Sequence, residues 1–491
     1  MSDIPRSSDL SRETVTDACR TFDSWLGFQQ RHLRVPGVQA AVLHVAEVAE
    51  VAEVAEVADV VLSTAHGVAA LETGEPLTDQ HLFRIASHSK TFTATAVMQL
   101  AERGSLRLDD TVGRWLPGLA SAPVSGVTLH ELLAHGGGVV RDGWDGDFWQ
   151  LFHSFPDTAE LLRIADDASS VLPRNERFKY SNIGYSLLGL VIEAASGQPY
   201  DAYVVEHVIG RLRLTHTGPE LDPARAHEYA AGHSSISYAD RRLPIEHIDT
   251  HAMASATGFY STASDVVRYV SAHFLGDERL LSDDAKRQMQ RTEWEVEGTG
   301  TSYGLGFGIQ TIGTRRVLGH GGGYPGHITR TFFDPVDRLA VSVFTNAIDG
   351  PALGWASALF ALVDLAAAGP RVEGAAATRQ GDLDRWCGRF ATLWGVYDVV
   401  ALGGRLFQID PTAPDPTASV THLEVVDDRT LRIAKTTGYG SPGERLVYSF
   451  DDDDAVVSLR GGSGTTAYPY EQYRRTVEAA ERVTLGGGLR V

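Results

Sequence analysis

The 491-residue sequence predicts an α+β domain followed by a small domain rich in β-strands. Runs of β-branched and apolar residues occur near residue 40 and again between residues 316 and 345, and patterns typical of helices lie between them. Strands at both ends with helices between indicate one sheet that joins the N-terminal and C-terminal parts of the domain. After residue 386, short runs of β-formers alternate with turn-forming residues.

The N-terminal part of the predicted sheet contains a repeat. Residues 38–44 and 60–65 are predicted strands, separated by five Val-Ala-acid triplets over residues 45–59. A period of three fits neither the period of two of a strand nor the 3.6 of a helix. We expect this Val-Ala-acid repeat to be an expansion within a hairpin turn, and the pattern predicts no conformation for it.

The middle of the chain supplies the helices. Residues 91–103 favour a helix, and Gly104 follows as a C-cap. The remaining elements of this domain are expected as helices over residues 129–134 and 185–195, and as strands over residues 316–319, 329–333 and 340–345.

The C-terminal part predicts a separate small β-barrel or sandwich. Glycine pairs at residues 403–404 and 461–462 mark turns between short strands. Residues 365–380, which precede this part, contain many Ala, Gly and Pro residues, which is typical of a linker. We therefore predict a catalytic domain over residues 1–368, a linker over 369–380 and a β-rich domain over 381–491.

The composition excludes several classes of function. The formal net charge of −20 argues against nucleic acid and against anionic membrane surfaces as partners. The two cysteines, Cys19 and Cys387, lie far apart, so we expect neither a disulfide framework nor a Cys-based metal site. Residues 1–30 hold no apolar run flanked by basic residues, so we expect no signal peptide and a cytoplasmic protein.

The first candidate site is a Ser-x-x-Lys pattern at Ser87 and Lys90. Of the 43 basic residues only four are lysines, so a lysine at this position stands out. A buried lysine can lose its proton and act as a base, whereas arginine cannot. In an acyl-enzyme of this type the serine attacks a carbonyl carbon and a neutral lysine takes its proton. The alternative is a serine at a helix start beside an unrelated surface lysine.

The second candidate site is Tyr180 and Asn182. In an extended segment, residues two apart point the same way, so a phenol and an amide are expected to enter one cleft. Tyr180 can relay a proton if a neighbouring cation such as Lys90 lowers its pKa. The alternative is a half-buried tyrosine in a loop.

The third candidate site is the glycine-rich run 319–327, which contains His320, Gly321 and Gly322. Glycines after a strand let a substrate backbone approach closely, as in strand addition. The alternative is a glycine-rich turn with a solvated histidine.

Two other patterns carry no function. His130 and His135 are five residues apart, whereas a zinc helix requires histidines four apart on one face, so we expect no metal. The His-Gly-Gly-Gly runs at 135–138 and 320–323 are similar to a lipase oxyanion loop, but the chain holds no Gly-x-Ser-x-Gly nucleophile. No cofactor is expected.

These motifs, in this order, resemble the serine β-lactamase and penicillin-binding protein superfamily, in the branch of class C β-lactamases, D-aminopeptidases and related esterases. The resemblance covers residues 25–365 and includes the segments 83–86, 106–110, 132–135, 180–185 and 304–308. It implies a β-lactamase-like antiparallel sheet flanked by helices, with a helical subdomain. The C-terminal part resembles the lipocalin-like barrel that some members carry.

The resemblance also implies roles for the candidate residues. Ser87 is the nucleophile, and Lys90 and Tyr180 share the general-base and general-acid work. Asn182 hydrogen-bonds a substrate amide, and the backbone N–H groups of Ser87 and Gly323 form the oxyanion hole.

One position departs from the pattern of the family. His320 stands where β-lactamases and transpeptidases have a lysine. This change removes a fixed cation from the wall that grips a substrate carboxylate, and so argues against β-lactamase activity.

A narrower resemblance is carried by the segments 86–95, 135–143 and 324–330, which look like penicillin-binding-protein-type thioesterases. These stand-alone enzymes release nonribosomal peptides by cyclisation. The resemblance implies a peptidyl substrate with a C-terminal D-residue, which a carrier protein can present, and head-to-tail macrolactamisation. We expect Trp144, Phe148 and Trp149 to shield the ester from water, with Trp144 and Trp149 contacting the substrate.

Two rival functions remain open at this point. A cytosolic D-aminopeptidase, amidase or esterase would hydrolyse the same acyl-enzyme. A catalytically dead peptide-binding protein would keep the fold without the reaction.

Overall fold

The computed structural model describes residues 10–45, 59–168, 170–368, 383–437, 440–485 and 488–489. Contacts group the chain into two compact units. The first unit includes Arg34–Ala356, and the second combines Leu10–Leu33 with Ser357–Val491. The predicted domain limits differ from this grouping, because they place residues 10–33 and 357–368 in the catalytic domain. These limits stay a prediction. The predicted linker, 369–380, lies outside the described residues.

The helices of the described residues vary from a single turn to 21 residues. They are α1 (Arg12–His32), α2 (Ser89–Glu102), α3 (Val112–Trp115), α4 (Leu129–Leu133), α5 (Thr158–Ala168), α6 (Asn182–Ser196), α7 (Tyr200–Val204), α8 (Ala254–Thr257), α9 (Ala263–Ser271), α10 (Asp283–Gln290), α11 (Ala352–Ala367) and α12 (Tyr470–Ala479).

The strands fall into the two units in chain order. Those of the first unit are β1 (Gly37–His44), β2 (Asp59–Ala70), β3 (Glu75–Pro76), β4 (Phe83–Arg84), β5 (Gly232–His233), β6 (Pro244–Ile245), β7 (Tyr260–Ser261), β8 (Trp294–Val296), β9 (Thr301–Tyr303), β10 (Gly308–Ile312), β11 (Arg315–Tyr324), β12 (His327–Asp334) and β13 (Leu339–Thr345). Those of the second unit are β14 (Gly388–Thr392), β15 (Gly395–Leu402), β16 (Arg405–Ile409), β17 (Thr421–Asp427), β18 (Thr430–Lys435), β19 (Arg445–Phe450), β20 (Val456–Arg460) and β21 (Thr466–Pro469).

The first unit is built on a nine-stranded antiparallel sheet of order β3-β2-β1-β13-β12-β11-β10-β9-β8. Strands β1 and β13 are neighbours, with Val42 opposite Val341, although about 300 residues separate them in the chain. The sequence prediction that N-terminal and C-terminal strands share one sheet is therefore confirmed. Strand β1 is buried along its whole length, which explains why it is mostly apolar. The buried Gln39 side chain within it donates to the Thr78 and His81 carbonyl oxygens, both at 3.0 Å.

The helices that position the site lie within the core. Helix α2 is buried from Ser89 to Leu100 and packs against α6 and α8, while α9 packs on β1 and β13. Gly104 follows α2 with a φ of +71°, a conformation that glycine adopts without steric cost, so the predicted C-cap is confirmed. Ser181 caps α6 by accepting a hydrogen bond from the Gly184 N–H, an interaction worth about 1 kcal/mol.

The Val-Ala-acid repeat connects two strands that are hydrogen-bonded neighbours. His44 in β1 is opposite Asp59 in β2. Residues 46–58, which hold nearly all of the repeat, lie outside the described residues. The strands on either side are antiparallel, as the hairpin prediction requires.

The second unit contains a closed barrel in which β14 to β21 pair in chain order and β21 returns to β14. Its interior is filled by apolar side chains, including Trp386, Leu431 and Leu459. The Tyr448 hydroxyl donates to the Trp386 carbonyl at 3.0 Å, which satisfies a polar group inside the barrel. Helix α1 belongs to this unit, where the Gln29 side chain donates to the Pro411 carbonyl at 2.6 Å.

The predicted fold class is thus confirmed: a sheet with helices, followed by an eight-stranded closed barrel. None of the described helices is long and apolar enough to cross a membrane.

Candidate active site

Ser87 lies in a single 3₁₀ turn, Ala86–His88, directly before α2. The turn is strained, because Ala86 has a φ of +45°, which is unfavourable for a residue with a Cβ atom. It is held by the Ile85 N–H, which donates to Phe259 O at 2.9 Å, and by Ser89 Oγ, which donates to Ala86 O at 2.6 Å. The Ser87 side chain therefore stays partly exposed at the start of a buried helix.

Lys90, one turn further on, is fully buried and its amino group has three partners. Nζ lies 3.2 Å from Ser87 Oγ, 2.7 Å from Asn182 Oδ1 and 2.8 Å from the Ala256 carbonyl oxygen. Burial holds the pKa of Lys90 well below its ordinary value; the Asp142 carboxylate opposes this shift and Arg141 adds to it. The structure therefore favours a neutral amine.

A neutral amine in this position is oriented by its partners. The Asn182 and Ala256 oxygens are acceptors only, so they take both N–H hydrogens of a neutral Lys90. The lone pair that remains faces Ser87 Oγ, so the Ser87 hydroxyl can donate to it. This arrangement is that of a serine hydroxyl beside a general base.

Tyr180 approaches the same hydroxyl from another side. Its phenol lies 2.9 Å from Ser87 Oγ, and Lys90 Nζ lies 4.9 Å from the centre of its ring. Burial raises the pKa of Tyr180, and the hydrogen bond to Ser87 offsets this only in part. The expectation that Lys90 lowers the pKa of Tyr180 is therefore wrong for this state, because a neutral lysine supplies no positive charge. Tyr180 donates a hydrogen bond to Ser87 Oγ in this structure.

Asn182 is the first residue of α6, so the segment is not extended throughout as predicted from the sequence. The chain is extended only up to the cap, Ser181, with φ −142° and ψ 119°. Asn182 still reaches the site, because its Oδ1 accepts from Lys90 and its Nδ2 donates to Asp142 Oδ1 at 2.6 Å. The structure thus brings Tyr180 and Asn182 to one cleft.

His320 lies on β11 and is buried and neutral. Its Nδ1 lies 2.7 Å from the Gly321 carbonyl oxygen, and its Nε2 lies 3.2 Å from the Tyr303 hydroxyl. Burial lowers the pKa of His320 well below its usual value. The ring centre is 6.4 Å from that of Tyr180. This wall of the cleft therefore carries no fixed cation at His320.

At Gly322, strand β11 touches the residue before the turn that carries Ser87. A Cβ atom on Gly322 would lie 2.2 Å from the carbonyl oxygen of Ile85, so only glycine allows this approach. Gly323, the predicted second oxyanion donor, is exposed, and a Cβ there would meet nothing closer than 3.7 Å. Gly321 packs instead against the guanidinium of Arg330, which lies opposite it on β12.

Of the three aromatic residues expected to shield the ester, Phe148 and Trp149 share one apolar cluster and Trp144 is exposed. Trp144 is 82% exposed, and Phe148 is buried in a separate apolar cluster with Phe155 and Met253. The Trp149 indole N–H donates to Asp142 Oδ1 at 3.1 Å. Trp149 is thus placed beside the site through Asp142, while a substrate role for Trp144 stays a prediction.

Sequence reasoning assigned no role to three residues at the site. Asp142 follows the triple glycine in a loop, where nothing in the local pattern marks a carboxylate as part of the site. Ala256 contributes only a backbone oxygen, so no side-chain pattern identifies it. His135 is buried with its ring centre 4.4 Å from that of Tyr180, and its Nδ1 accepts from the Ser181 N–H at 3.2 Å.

The described residues contain no group of three or more His, Cys, Asp or Glu side chains that could hold a metal ion.

Comparison with known proteins identifies the family. A family model described as Beta-lactamase matches residues 27–357, which is more than half of the chain. The chain therefore belongs to the beta-lactamase family, whose fold combines this sheet with these helices. It is a family of serine hydrolases and acyltransferases that includes esterases and carboxypeptidases.

Individual relatives match different shares of the chain. Penicillin-binding protein 4* of Bacillus subtilis (strain 168) is 30% identical over 277 residues, which span 54% of this chain and 60% of that protein. Esterase EstB of Burkholderia gladioli is 30% identical over 339 residues, which span 58% of this chain and 83% of the esterase. Among solved structures, SurE is 25% identical with a TM-score of 0.59, covering 92% of this chain and 99% of SurE.

Proposed function

We propose that this protein is a serine acyltransferase that forms an acyl-Ser87 ester from a peptidyl thioester and releases the peptide by head-to-tail cyclisation. The observation that carries the proposal is the placement of Lys90 Nζ, with two carbonyl acceptors taking its hydrogens and Ser87 Oγ 3.2 Å away. This geometry activates a serine for attack on a carbonyl carbon.

The residues of the site account for both half-reactions. In the first, Ser87 Oγ bonds to the thioester carbonyl carbon as its proton passes to Lys90, and the C–S bond breaks. The thiol leaves with a proton that Lys90 returns through Tyr180. In the second, the peptide's own N-terminal amine attacks the ester, loses a proton to the same pair, and the Ser87 oxygen leaves protonated. Backbone N–H groups of Ser87 and Gly323 would stabilise each oxyanion.

One observation favours a thioester over a β-lactam or a peptide with a free C-terminal carboxylate, and a second concerns the configuration of the peptide. His320 is buried and neutral, so it supplies no positive charge for a carboxylate on the leaving side of the scissile bond. The match to SurE extends over 92% of this chain, and SurE has also been solved with D-Leu. Together with the resemblance to penicillin-binding-protein-type thioesterases, this supports a peptide whose C-terminal residue is D-configured.

The chemistry also suggests how the substrate arrives. A nonribosomal peptidyl thioester is carried on a protein-bound thiol, so we expect a carrier protein as partner and a cytoplasmic site of action. The net charge of −20 makes nucleic acid an unfavourable partner.

Paired thioester substrates test the proposal. Two synthetic peptides with a free N-terminal amine, differing only in a D- or L-configured C-terminal residue, are presented as N-acetylcysteamine thioesters. The D-peptide is expected to acylate Ser87 much faster and to give mainly cyclic product, because docking along β11 fixes the direction of the peptide. Mass spectrometry separates cyclic from linear product, and Ser87→Ala is the control for chemistry without the nucleophile. Equal rates for both epimers would contradict the D-specific proposal.

Hydrolysis of the same acyl-enzyme is the second candidate, favoured by the 30% identity to esterase EstB. It predicts linear acid as the only product in the same experiment. A catalytically dead binding protein is the third, and it predicts no acyl adduct on Ser87. The contacts of Ser87 with both Lys90 and Tyr180 argue against it.

A further inference from the structure

Asp142 is connected to Lys90 by two hydrogen bonds that pass through the side chain of Asn182. Its Oδ1 accepts from Asn182 Nδ2 at 2.6 Å, and Asn182 Oδ1 in turn accepts from Lys90 Nζ at 2.7 Å. Asp142 is itself held in place, because Trp149 Nε1 donates to Oδ1 at 3.1 Å and Arg141 Nε donates to Oδ2 at 3.0 Å.

The backbone fixes this loop against the start of α6. The N–H groups of Asn182 and Ile183 donate to the Arg141 carbonyl oxygen at 2.9 and 3.1 Å. The Ser181 hydroxyl donates to the Val140 carbonyl oxygen at 2.7 Å. Asp142 is thus bound to the element that carries Asn182, so the carboxylate and the amide have a fixed separation.

An ionised carboxylate decides which way the Asn182 amide points. Because a carboxylate only accepts hydrogen bonds, the NH₂ group of Asn182 must face Asp142. The amide oxygen must then face Lys90, where it takes one hydrogen of the amine. With the Ala256 oxygen taking the other, the lone pair is left directed at Ser87.

We propose that Asp142 is a positioning residue that sets the orientation of the Asn182 amide. Through this amide it holds the Lys90 amine with its lone pair directed at Ser87 Oγ. The inference rests on the proposed function only in that Lys90 serves as the base for Ser87. It does not depend on whether an amine or water resolves the ester.

The charges around Lys90 give this inference a measurable signature. Burial favours the neutral amine, and the Asp142 carboxylate is the group that opposes it, while Arg141 acts in the same direction as burial. The other titratable groups that face this site are Tyr180, Tyr185, His135 and His320. Burial keeps the two tyrosines protonated and the two histidines neutral. Loss of the Asp142 charge should therefore lower the pKa of Lys90 further.

The test compares Asp142→Ala, Asp142→Asn and the matched control Asp145→Asn. Asp145 lies on the same loop and is 70% exposed, and it pairs with His153 rather than with the site. The rate of Ser87 modification by an alkyl fluorophosphonate is followed by intact mass from pH 5 to 10. Serine attack on phosphorus expels fluoride, and the serine proton passes to Lys90. Thermal unfolding by circular dichroism establishes that each variant is folded.

Asp142→Ala should lower the rate of Ser87 modification on the high-pH plateau of the profile about tenfold or more. In this variant the Asn182 amide can rotate, so the Lys90 amine is no longer held with its lone pair towards Ser87. Asp142→Asn keeps an acceptor oxygen, so its plateau should fall less. The acid limb is the part of the pH–rate profile where the rate falls as Lys90 becomes protonated. In both variants this limb should move to lower pH than in the wild type. Asp145→Asn should match the wild type in both the plateau rate and the position of the acid limb.

Three outcomes would overturn the inference that Asp142 positions Asn182 and Lys90. An unchanged plateau and acid limb in Asp142→Ala would overturn the inference, as would a shifted limb with an unchanged plateau. A lower rate with an unshifted limb would assign Asp142 a purely structural role and also overturn it. If Asp142→Ala does not fold, the position of the acid limb in Asp142→Asn tests the inference: a shift to lower pH supports it and an unshifted limb overturns it. Absence of labelling on Ser87 in the wild type would instead contradict the proposed function.

Discussion

Gly322 and Ile85 approach each other so closely that a Cβ atom on Gly322 would lie 2.2 Å from the Ile85 carbonyl oxygen. The same Cβ would lie 2.4 Å from Thr329 Oγ1. Ile85 immediately precedes the strained turn that carries Ser87, so this contact sets how near β11 comes to Ser87.

Gly322→Ala should therefore reduce the rate of Ser87 modification severely, by roughly a hundredfold, because the added methyl group must push the strand away from the turn. Gly323→Ala should cost much less, since it keeps the backbone N–H and its Cβ meets only an ordinary contact at 3.7 Å. The check is the labelling rate of both variants with an alkyl fluorophosphonate. Equal rates for Gly322→Ala and the wild type would contradict the prediction, because they would mean that β11 accommodates the methyl group without moving away from the Ser87 turn.

Lys90→Arg should be nearly as damaging as Lys90→Ala, although arginine keeps the positive charge. The proposed reaction needs a neutral amine, and a guanidinium does not lose its proton. Lys435→Arg is the control, since Lys435 is an exposed lysine of the barrel unit. Acylation rates are measured with a D-terminal peptide thioester. Substantial activity in Lys90→Arg would mean that Lys90 supplies only charge or packing.

His88 should make the free energy of unfolding depend on pH. Burial lowers the pKa of this histidine to about 3, and its ring lies 3.0 Å from Ile85 O and 2.9 Å from Thr331 Oγ1. Below the ordinary histidine pKa of about 6.5 the unfolded chain binds a proton that the folded protein excludes. The contribution of His88 to stability is thus complete above that pH and decreases as pH falls towards 3.

His88→Gln should therefore show a shallower pH dependence between pH 6 and 4, by about 1.4 kcal/mol per pH unit. The variant loses contacts of its own, so the slope and not the absolute stability is the result. Urea unfolding at several pH values measures it, with the exposed His251→Gln as control. Identical slopes for His88→Gln and the wild type would show that His88 is protonated in the folded state.

Deletion of residues 48–56 should leave the rate of Ser87 modification within a few-fold of the wild type. The repeat joins β1 to β2, which are adjacent antiparallel strands with His44 opposite Asp59, so a shorter connection can still close the hairpin. Circular dichroism and the labelling rate check the result. A loss of folded protein would show that the repeat is needed for the core.

The sequence alone was sufficient to predict the fold class and the identity of the central residues. Ser87 and Lys90 are three apart at a helix start, so local geometry already placed them together. Strand and helix patterns, read in order, identified the shared sheet and the β-rich C-terminal part. The mostly apolar β1 segment and the glycine after α2 are local features that a sequence shows directly.

The tertiary structure decided what surrounds those residues. Ala256, 166 residues away in the chain, accepts a hydrogen bond from Lys90, and Asp142, 52 residues away, acts on Lys90 through its charge and through Asn182. No local pattern encodes these interactions. The structure also decided the charge state of the site, because the pKa values of Lys90 and Tyr180 depend on burial by distant elements. Spacing along the chain identifies which groups are present, but only packing determines their solvation, their orientation and therefore their chemistry.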